Sequence, residues 1–355
     1  MNGKKKKMNR GIIVLLFLFL YMPRLTAQAD YPPFRVMCWN VENLFDTHHD
    51  SLKNDYEFLP DALRHWNYQR YKKKLVNIAR VITAVGEWVP PVLVGLCEIE
   101  NDNVMRDLTR YSPLKEQGYR YVITHSPDER GIDVALLYQR DRFKLLFHRS
   151  IPTGTFRPQN RPTRDILHVC GLLATGDSLD VLVVHLPSRS GGAKVSEPYR
   201  MFVAGKIRSI ADSLLTTRLH PQLIIMGDFN DYPNNKSITQ TLGALAPPPH
   251  PVPLQLYHLF ASRAEAEKYS FGSYKYQGEW GLLDHLIISG TLLDSSSPFH
   301  TDEKKANVAR LPFLLSNDEK YGGKQPFRTY SGIKYLGGYS DHLPIYTDFE
   351  IIRNN

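Results

Sequence analysis

A short apolar run that ends in two spaced polar residues constrains this chain more than any other feature of its sequence. Leu223 to Met226 is wholly apolar, as is typical of a strand buried on both faces of a sheet. Gly227 follows, and Asp228 and Asn230 then stand two positions apart. In extended backbone such positions point the same way, so the two side chains are predicted to share one face at the strand end. A carboxylate beside a carboxamide can position a water molecule or complete the outer shell of a metal ion, although an ordinary turn explains this pattern equally well.

Four further segments place polar residues at the ends of predicted strands, and together they weaken that simpler explanation. One early strand ends at Asn40 and another at Glu98. A later strand begins with Asp284, and the pair Asp341 and His342 precedes the last strand of the chain. One such segment is weak evidence for a functional site, whereas five such segments in a consistent order are strong evidence for one.

Taken in this order with the Asp228 segment, these segments resemble the endonuclease/exonuclease/phosphatase superfamily. Its members include pancreatic-type DNases, exonuclease III-like repair nucleases, bacterial sphingomyelinases and inositol-polyphosphate 5-phosphatases. The match runs from about Phe34 to Phe349. The resemblance implies an α/β fold, a four-layer α/β/β/α sandwich in which two packed mixed β-sheets are flanked by helices. Residues 28–355 are predicted to form this one domain.

The resemblance also implies a metal site built from hard oxygen ligands. Such ligands suit Mg²⁺ or Mn²⁺, with Ca²⁺ as a further option, and magnesium sites commonly use only one or two carboxylates. Glu98 is the candidate for the principal ligand and Asp341 for the second. Asn40 is implied to hold the metal shell or the phosphate. Glu100 shares the predicted face of Glu98 and is an alternative ligand.

Catalytic roles are implied for the remaining strand-end residues. His342 is the candidate base, oriented by Asp284, because a neutral imidazole can accept a proton near pH 7 and a buried carboxylate fixes its tautomer. Asp228 and Asn230 are implied to position the nucleophile or to stabilise the transition state. Mechanisms proposed for the superfamily divide the base role between this Asp and this His, so the choice between Asp228 and His342 stays open.

His185 ends another apolar strand and leads into a loop of Ser, Arg and Gly residues at 186–192. A histidine in such a place can be a core residue whose ring is satisfied by backbone groups. Its position matches the strand-end His of the superfamily, and a protonated imidazole can stabilise an anionic phosphorane. We therefore interpret His185 as a catalytic residue.

The N-terminus has the layout of a secretory signal peptide. Basic residues at 4–7 and 10 precede an apolar run at 11–22 that is short for a membrane span, and small residues follow. Residues 1–27 are predicted to be removed, with an uncleaved anchor as the alternative. Export to the periplasm or the extracellular medium is expected, without stable membrane insertion after cleavage. Loss of the six basic residues of this segment, at 4–7, 10 and 24, lowers the formal net charge from +8 to +2, so charge alone does not argue for a nucleic-acid partner.

The three cysteines are too few for a disulfide-built scaffold, and an odd number leaves one unpaired. Strand alternation points Cys38 the same way as Asn40 and points Cys97 opposite to Glu98. If Asn40 and Glu98 face one site, the two sulfurs face apart. Buried thiols without a bridge between them are therefore predicted.

Two segments have helical periodicity. Tyr68 to Val85 places apolar residues at helical spacing, with basic residues opposite them. Pro198 to Leu219 is predicted to be a long amphipathic helix with Arg200, Lys206 and Arg208 on its polar positions.

Three other features carry separate expectations. Phe271 to Trp280 is aromatic and Gly-rich, and we interpret it as a wall of the site, with a base-stacking platform as the alternative. Ser295 to Ser331 lacks periodicity and is predicted to be a long loop or lid. Asp133 interrupts an apolar strand and needs a partner, for which Arg130 is a candidate; a contact of Arg130 with phosphate fits equally well.

The function indicated is a secreted, metal-dependent phosphodiesterase, a nuclease that hydrolyses DNA, with RNA as a second candidate substrate. Export, the Ser/Arg/Gly loop and the basic helix after it resemble bacterial extracellular nucleases. The alternative is a phosphomonoesterase or a phospholipid-headgroup hydrolase of the sphingomyelinase or inositol-phosphate type, because fold and metal site do not separate these activities. The expected partner is nucleic acid, or a phosphorylated small molecule or lipid headgroup, bound by a monomer. The complete set of strand-end residues argues against a non-enzymatic binding protein.

Overall fold

Strands from both ends of the chain lie side by side in the first of two large sheets. The computed structural model describes Gly3, residues 32–157 and residues 161–352, so the predicted signal peptide lies, apart from Gly3, outside the described residues. The strands of the first sheet are β1 (Phe34–Leu44), β2 (Leu93–Ile99), β3 (Arg120–Ile123), β4 (Asp133–Tyr138), β13 (Phe299–His300), β14 (Asn307–Val308) and β19 (Ile345–Ile351). Their order is β13-β19-β1-β2-β4-β3, and β14 also pairs with β19. β1 is parallel to β2 and antiparallel to β19, so the sheet is mixed, as predicted.

The second sheet contains the strand that carries Asp228. Its members are β5 (Lys144–Ile151), β6 (Ile166–Leu172), β7 (Ser178–His185), β8 (Leu223–Asp228), β9 (Leu256–His258) and β12 (Asp284–Ser289). They follow the order β5-β6-β7-β8-β12-β9, in which only β7 and β8 are parallel. The central strand β8 therefore lies between β7, which ends at His185, and β12, which begins at Asp284.

Three small hairpins complete the strands of the described residues. They are β10 (Tyr274–Tyr276) with β11 (Glu279–Gly281), β15 (Leu315–Asn317) with β16 (Lys324–Pro326), and β17 (Tyr330–Ser331) with β18 (Lys334–Tyr335). The prediction of one long loop at Ser295–Ser331 is therefore wrong in part, since β13 to β17 lie in it. Strands of two or three residues are too short to give an alternating pattern in sequence.

Helices cover the outer faces of both sheets. The α-helices of the described residues are α1 (Tyr68–Gly86), α2 (Asp102–Arg110), α3 (Ala193–Thr217) and α4 (Ala261–Ala266), and Ser237–Leu242 forms a π-helical turn. Short 3₁₀ turns lie at Tyr56–Phe58, Pro113–Gln117, Gly290–Leu293, Glu303–Lys305 and Pro312–Leu314. The helix predicted from Pro198 begins five residues earlier, with Pro198 inside it. Within the described part of the chain, no helix combines the length and apolar character that a bilayer span needs.

Three apolar layers separate the four layers of secondary structure. Residues of α1 such as Leu75 and Ile78 pack with Trp39 of β1 on the outer face of the first sheet. The middle layer joins inward residues of both sheets, for example Val36 and Met226. The third layer packs α3 against the outer face of the second sheet. The predicted α/β/β/α sandwich is confirmed, and its elements belong to one unit, Pro33–Asn355.

The middle layer also corrects the prediction about the cysteines. Cys38 and Cys97 both lie in it, so the expectation that their sulfurs face apart is wrong. In the parallel register Asn40 lies opposite Cys97, which puts both on the side of Cys38. Glu98 leaves the alternation because its φ is 65° and the pairing register shifts at this point. All three cysteines are buried and unbridged, as predicted.

Candidate active site

β7 and β8 approach each other closely just before Asp228, which lies at the C-terminal end of the central strand β8. Gly227 has a φ of 154°, and a Cβ atom there would lie 1.8 Å from the carbonyl oxygen of Val184. Only glycine fits this contact without displacing a strand. In the resulting register Asp228 lies opposite His185 on one side and opposite Asp284 on the other. Three of the predicted catalytic residues thus meet at one sheet edge.

Asp228 accepts hydrogen bonds from β1 and from the turn that directly follows it. The Nδ2 of Asn40 donates to its Oδ2 at 3.0 Å, and the backbone N–H of Asn230 donates to its Oδ1 at 2.8 Å. Burial raises the pKa of Asp228 to about 7, although the charge of His342 and these hydrogen bonds act in the opposite direction. Near neutral pH this carboxyl group can therefore both accept and release a proton.

His342 is fixed at both ring and backbone. Its Nδ1 lies 2.7 Å from Oδ2 of Asp284, which also accepts a hydrogen bond of 2.5 Å from the Ser273 hydroxyl. The indole N–H of Trp39 donates to the His342 carbonyl at 2.9 Å. Burial lowers the pKa of His342, but the charges of Asp284 and Asp228 outweigh burial and raise that pKa well above its usual value. The predicted Asp284–His342 pair is present, and its imidazole favours the protonated form.

The other ring nitrogen of His342 faces Asp228. The distance from Nε2 to the Asp228 Oδ2 is 3.9 Å, too long for a direct hydrogen bond. Ligand atoms of Asp228, Asp284 and His342 all lie within 4.8 Å of one another, close enough to hold a metal ion. However, the Asp284 carboxylate and the imidazole already hydrogen-bond to each other, and a protonated imidazole is not a metal ligand. We therefore interpret this group as a proton-handling site.

Of the predicted metal ligands, Glu98 lies at the end of β2 and Asp341 lies in the segment that precedes β19. Glu98 has a left-handed backbone, and its Oε2 accepts a 2.8 Å hydrogen bond from the N–H of Asn43. Asp341 accepts one of 2.9 Å from Arg328. The charges of both carboxylates act on the buried ammonium of Lys74, whose pKa burial lowers to about 8. The charges of Glu98 and Asp341 therefore act on the same ammonium, and the charge of Asp341 also helps to raise the pKa of His342.

Asn40 connects these two parts of the site. While its Nδ2 donates to Asp228, its Oδ1 accepts a 3.0 Å hydrogen bond from the N–H of Glu42. The Ser340 hydroxyl donates to its carbonyl at 2.6 Å and accepts from the N–H of His342 at 3.0 Å. Orientation of the catalytic groups is thus a clear structural role of Asn40.

Asn230 and Asp228 come together by a turn. The strand ends at Asp228, and Asn230 has a φ of 51°, so the strand alternation assumed in the prediction does not reach it. Its side chain donates to the carbonyl of Leu186 at 3.0 Å, which ties the turn to the end of β7. Left-handed backbone at a non-glycine residue is costly and is often found at functional sites.

His185 lies against Asp228, with 3.5 Å between its Nε2 and the Asp228 Oδ2. Its Nδ1 is buried without a hydrogen-bond partner. Burial, reinforced by the charges of Arg164 and Arg130, lowers the pKa of His185 well below its usual value. A neutral imidazole is thus favoured, in contrast to the protonated one expected from sequence, and the cationic imidazole of the site is that of His342.

Sequence reasoning missed Glu42, Lys74 and Arg328. Glu42 is buried, accepts a 2.6 Å hydrogen bond from the N–H of Thr329, and lies 3.5 Å from the Arg328 guanidinium. Burial and the charge of Asp341 raise its pKa. The available signal was its spacing, two residues after Asn40. Nothing in the sequence marks Lys74, a helix residue among other lysines.

Glu100, the alternative metal ligand, lies in a different network. Its Oε2 accepts a 2.6 Å hydrogen bond from the N–H of Asp46. Burial and the charge of Asp46 raise its pKa to about 8. Because Glu98 breaks the strand alternation, the two carboxylates do not share the face that sequence suggested.

Two expectations about arginines also change. Arg200 was placed on the polar face of a helix, but it is buried and its Nε lies 2.8 Å from Asp231. Asp133 is satisfied by Ser126 and by the Thr124 hydroxyl at 2.6 Å instead of by Arg130. The Arg130 guanidinium instead donates to the side chain of Asn43.

The aromatic segment 271–280 packs against His342 of the catalytic pair. The Tyr274 ring lies 5.0 Å from the His342 ring, as expected of a wall residue. Beside it lies a cavity of about 310 Å³ whose lining includes Tyr232, Tyr269 and Trp280. Rings around this cavity carry stacked cations, for example Arg310 at 4.4 Å from the centre of the Trp280 ring.

A four-layer sandwich that gathers an Asp–His pair and further carboxylates at its strand ends has the architecture of a phosphoester hydrolase. The sequence profile of the Endonuclease/Exonuclease/phosphatase family matches residues 35–351, and the chain belongs to that family. It is accordingly a hydrolase that acts on phosphoesters. No curated protein sequence matches the chain.

Several solved structures share the fold at low sequence identity. The catalytic domain of human Nocturnin is similar at a TM-score of 0.52 and 17% identity, with 90% of this chain and 95% of that chain covered. Humanised D. rerio TDP2 gives 0.54 and 14%, with 90% and 100% covered. A Bacteroides thetaiotaomicron mannosyl-6-phosphatase gives 0.54 and 15%, with 89% and 99% covered. At these identities the likeness establishes the fold, and the substrate has to be argued separately.

Proposed function

We propose that the chain is an exported, metal-dependent phosphodiesterase, a nuclease that hydrolyses DNA, with RNA as a second substrate. The observation that carries the chemistry is that two neighbouring residues have raised pKa values. The pKa of Asp228 is about 7, and that of His342 is well above its usual value. Near neutral pH one group can then take up a proton while the other carries positive charge. Attack of water on an anionic phosphate requires both functions.

Within this proposal Asp228 is the base and His342 the electrostatic group. Asp228 is oriented by Asn40 and Asn230, so its free electron pairs have a defined direction. His342 keeps its proton because Asp284 accepts from Nδ1, and Nε2 remains free to face a phosphate oxygen. This division reverses the base assignment that sequence favoured.

A divalent ion such as Mg²⁺ or Mn²⁺ fits the oxygen donors of the first sheet. We assign Glu98 and Asp341 as the residues that would hold it, since each uses one carboxylate oxygen in a protein contact and offers the other. Hard oxygen donors suit these ions, and the Asp284–His342 pair does not supply a comparable set. When bound, the ion neutralises charge on the phosphate.

Two observations support DNA as the substrate. A similar structure, D. rerio TDP2 with a TM-score of 0.52 and 14% identity, was solved with a single-strand DNA product. In this chain, aromatic rings with stacked cations line the cavity that begins at Tyr232, two residues after Asn230, and this combination suits single-stranded nucleic acid. The buried Arg200 removes part of the basic-helix argument.

The test is incubation of residues 28–355 with supercoiled plasmid DNA and Mg²⁺ or Mn²⁺, beside an EDTA lane and a His342→Ala variant. Nicking that requires metal and is lost in the variant is the expected result. A folded, metal-binding protein that leaves plasmid and single-stranded DNA and RNA intact would refute the nuclease assignment.

A phosphomonoesterase is the second candidate, because a mannosyl-6-phosphatase shares the fold. Sugar phosphates and p-nitrophenyl phosphate therefore belong in the same assay. Release of inorganic phosphate without DNA cleavage would select this activity.

A further inference from the structure

Arg130 lies at the rim of the site, and no acidic group of the described residues pairs with its positive charge. Its guanidinium is exposed and donates to the neutral Oδ1 of Asn43. Among the described residues no carboxylate oxygen lies within 4.0 Å of it. Other arginines near the site are paired with acids: Arg164 with Asp128 at 3.3 Å, Arg189 with Asp231 at 3.4 Å and Arg328 with Asp341 at 2.9 Å.

The turn that carries Arg130 is held in place from two sides. The ammonium of Lys53 donates to the carbonyls of Ser126 at 2.8 Å and Asp128 at 2.9 Å. The N–H of Asn54 donates to the Glu129 carbonyl at 2.7 Å. The Arg130 N–H is itself capped by the Asp128 carboxylate at 3.0 Å. A rigid turn presents the guanidinium with little ordering cost when an anion binds.

Arg130 lies between the Glu98 side and the Asp228 side of the site, as one contact and one effect of its charge indicate. Asn43, which accepts from Arg130, holds the carboxylate of Glu98 through its backbone N–H at 2.8 Å. On the other side, the charge of Arg130 is close enough to His185 to contribute to the lowered pKa of that imidazole. His185 in turn contacts Asp228 at 3.5 Å. A phosphate between the assigned metal ligand and the base would lie next to this guanidinium.

We propose that Arg130 is a substrate-binding residue that donates to a non-bridging oxygen of the phosphate undergoing hydrolysis. The proposal rests on the phosphoesterase function proposed above. The planar donor fork of arginine matches phosphate geometry, and its hydrogen bonds to an anion are stronger than neutral ones. Because Arg130 has no ion pair to break, its charge is available to the substrate. The Asn43 amide orients the fork without cancelling it.

Binding of inorganic phosphate tests the contact without requiring turnover. Titration calorimetry with Mg²⁺ present would compare the wild type with Arg130→Met, Arg130→Lys and the control Arg161→Met, which removes an exposed arginine paired with Glu129 at 3.0 Å. We expect the phosphate Kd to rise at least about tenfold in Arg130→Met, less in Arg130→Lys, and not at all in Arg161→Met. Equal affinity in Arg130→Met and the wild type, or no phosphate binding by the wild type, would overturn the proposal.

Turnover of diester substrates with single phosphorothioate diastereomers locates the contact. Sulfur at the oxygen that faces Arg130 should slow the wild type, and this effect should shrink in Arg130→Met for that diastereomer alone. Undiminished sulfur effects in the variant would place Arg130 away from the reacting phosphate. If no phosphoester is cleaved but phosphate binding depends on Arg130, the proposed function fails and the anion site stands.

Discussion

Replacement of Asp284 by Asn tests the proton arrangement directly. The change keeps the shape of a fully buried side chain but removes the charge that lies 2.7 Å from the His342 Nδ1. At this distance and an effective dielectric constant of ~20, the attraction is about 6 kcal/mol, or about 4 pKa units. This is an upper limit because both charges are delocalised over more distant atoms. Without it, burial is opposed only by the charges of Asp228 and Asp341, so the pKa of His342 should fall.

The assay is the pH dependence of kcat at saturating metal. In the wild type, activity should rise as Asp228 loses its proton near pH 7 and fall at higher pH as His342 loses its own. In Asp284→Asn the descending limb should move to lower pH, and activity at pH 7.5 should fall on the order of 10²–10⁴-fold. The ascending limb should move little, because loss of the Asp284 charge and loss of the imidazolium have opposite effects on Asp228.

A second buried Asp–His pair provides the matched control. The Nε2 of His168 lies 2.8 Å from Asp180, on neighbouring strands of the same sheet. Asp180→Asn should lower the free energy of unfolding without displacing either limb of the profile. A descending limb that stays in place in Asp284→Asn would refute the assignment of His342 as the cationic group.

Three further predictions concern stability and metal binding. Gly227→Ala should lower the free energy of unfolding by more than about 3 kcal/mol in urea denaturation, because its Cβ would overlap the neighbouring carbonyl. The control Gly205→Ala in α3, where a Cβ would have no atom nearer than 3.7 Å, should not destabilise the fold. Equal urea midpoints of the two variants would contradict this prediction. Glu100 has a raised pKa of about 8, so its contribution to stability is complete below about pH 4.5 and is lost as pH rises to 8. Glu100→Gln should therefore be more stable than the wild type at pH 8 by about 4 kcal/mol and similar to it at pH 4, as measured by urea midpoints. Glu98→Gln should weaken Mn²⁺ binding at least tenfold by titration calorimetry, whereas Glu100→Gln should leave it unchanged; the reverse order would exchange the two residues as candidate ligands.

The strand-end residues were predictable because a buried strand, a glycine and an abrupt polar pair leave few structural options. The order of such segments indicated the family, and the family in turn predicted the four layers of the α/β/β/α sandwich. The pairing of Asp284 with His342 could be predicted from that resemblance alone. The position of Asp228 between His185 and Asp284 depends on the sheet order β7-β8-β12, which brings together residues far apart in sequence.

The errors have two physical origins, a local departure from regular backbone and contacts between segments that are far apart in sequence. Alternation from Cys97 onward fails because Glu98 adopts a left-handed conformation, and this reverses the inferred directions of both cysteine and carboxylate. Arg200 occupies a polar helical position in sequence, but Asp231 on another segment draws it into the core. The pKa of His185 depends on burial and on two arginines, neither of which linear sequence can place beside it.

Closure of the site depends on contacts between the first and last strands of the fold. Trp39 and Asn40, on β1, bind the segment before β19: the indole donates to the His342 carbonyl, and the Asn40 carbonyl accepts from the Ser340 hydroxyl. Asn40 also reaches across to Asp228 in the other sheet. Asn40 therefore contacts both the C-terminal segment and the base in the second sheet. Catalytic geometry should accordingly form only after both sheets have packed, because no single sheet contains both Asp228 and His342 in their observed orientation.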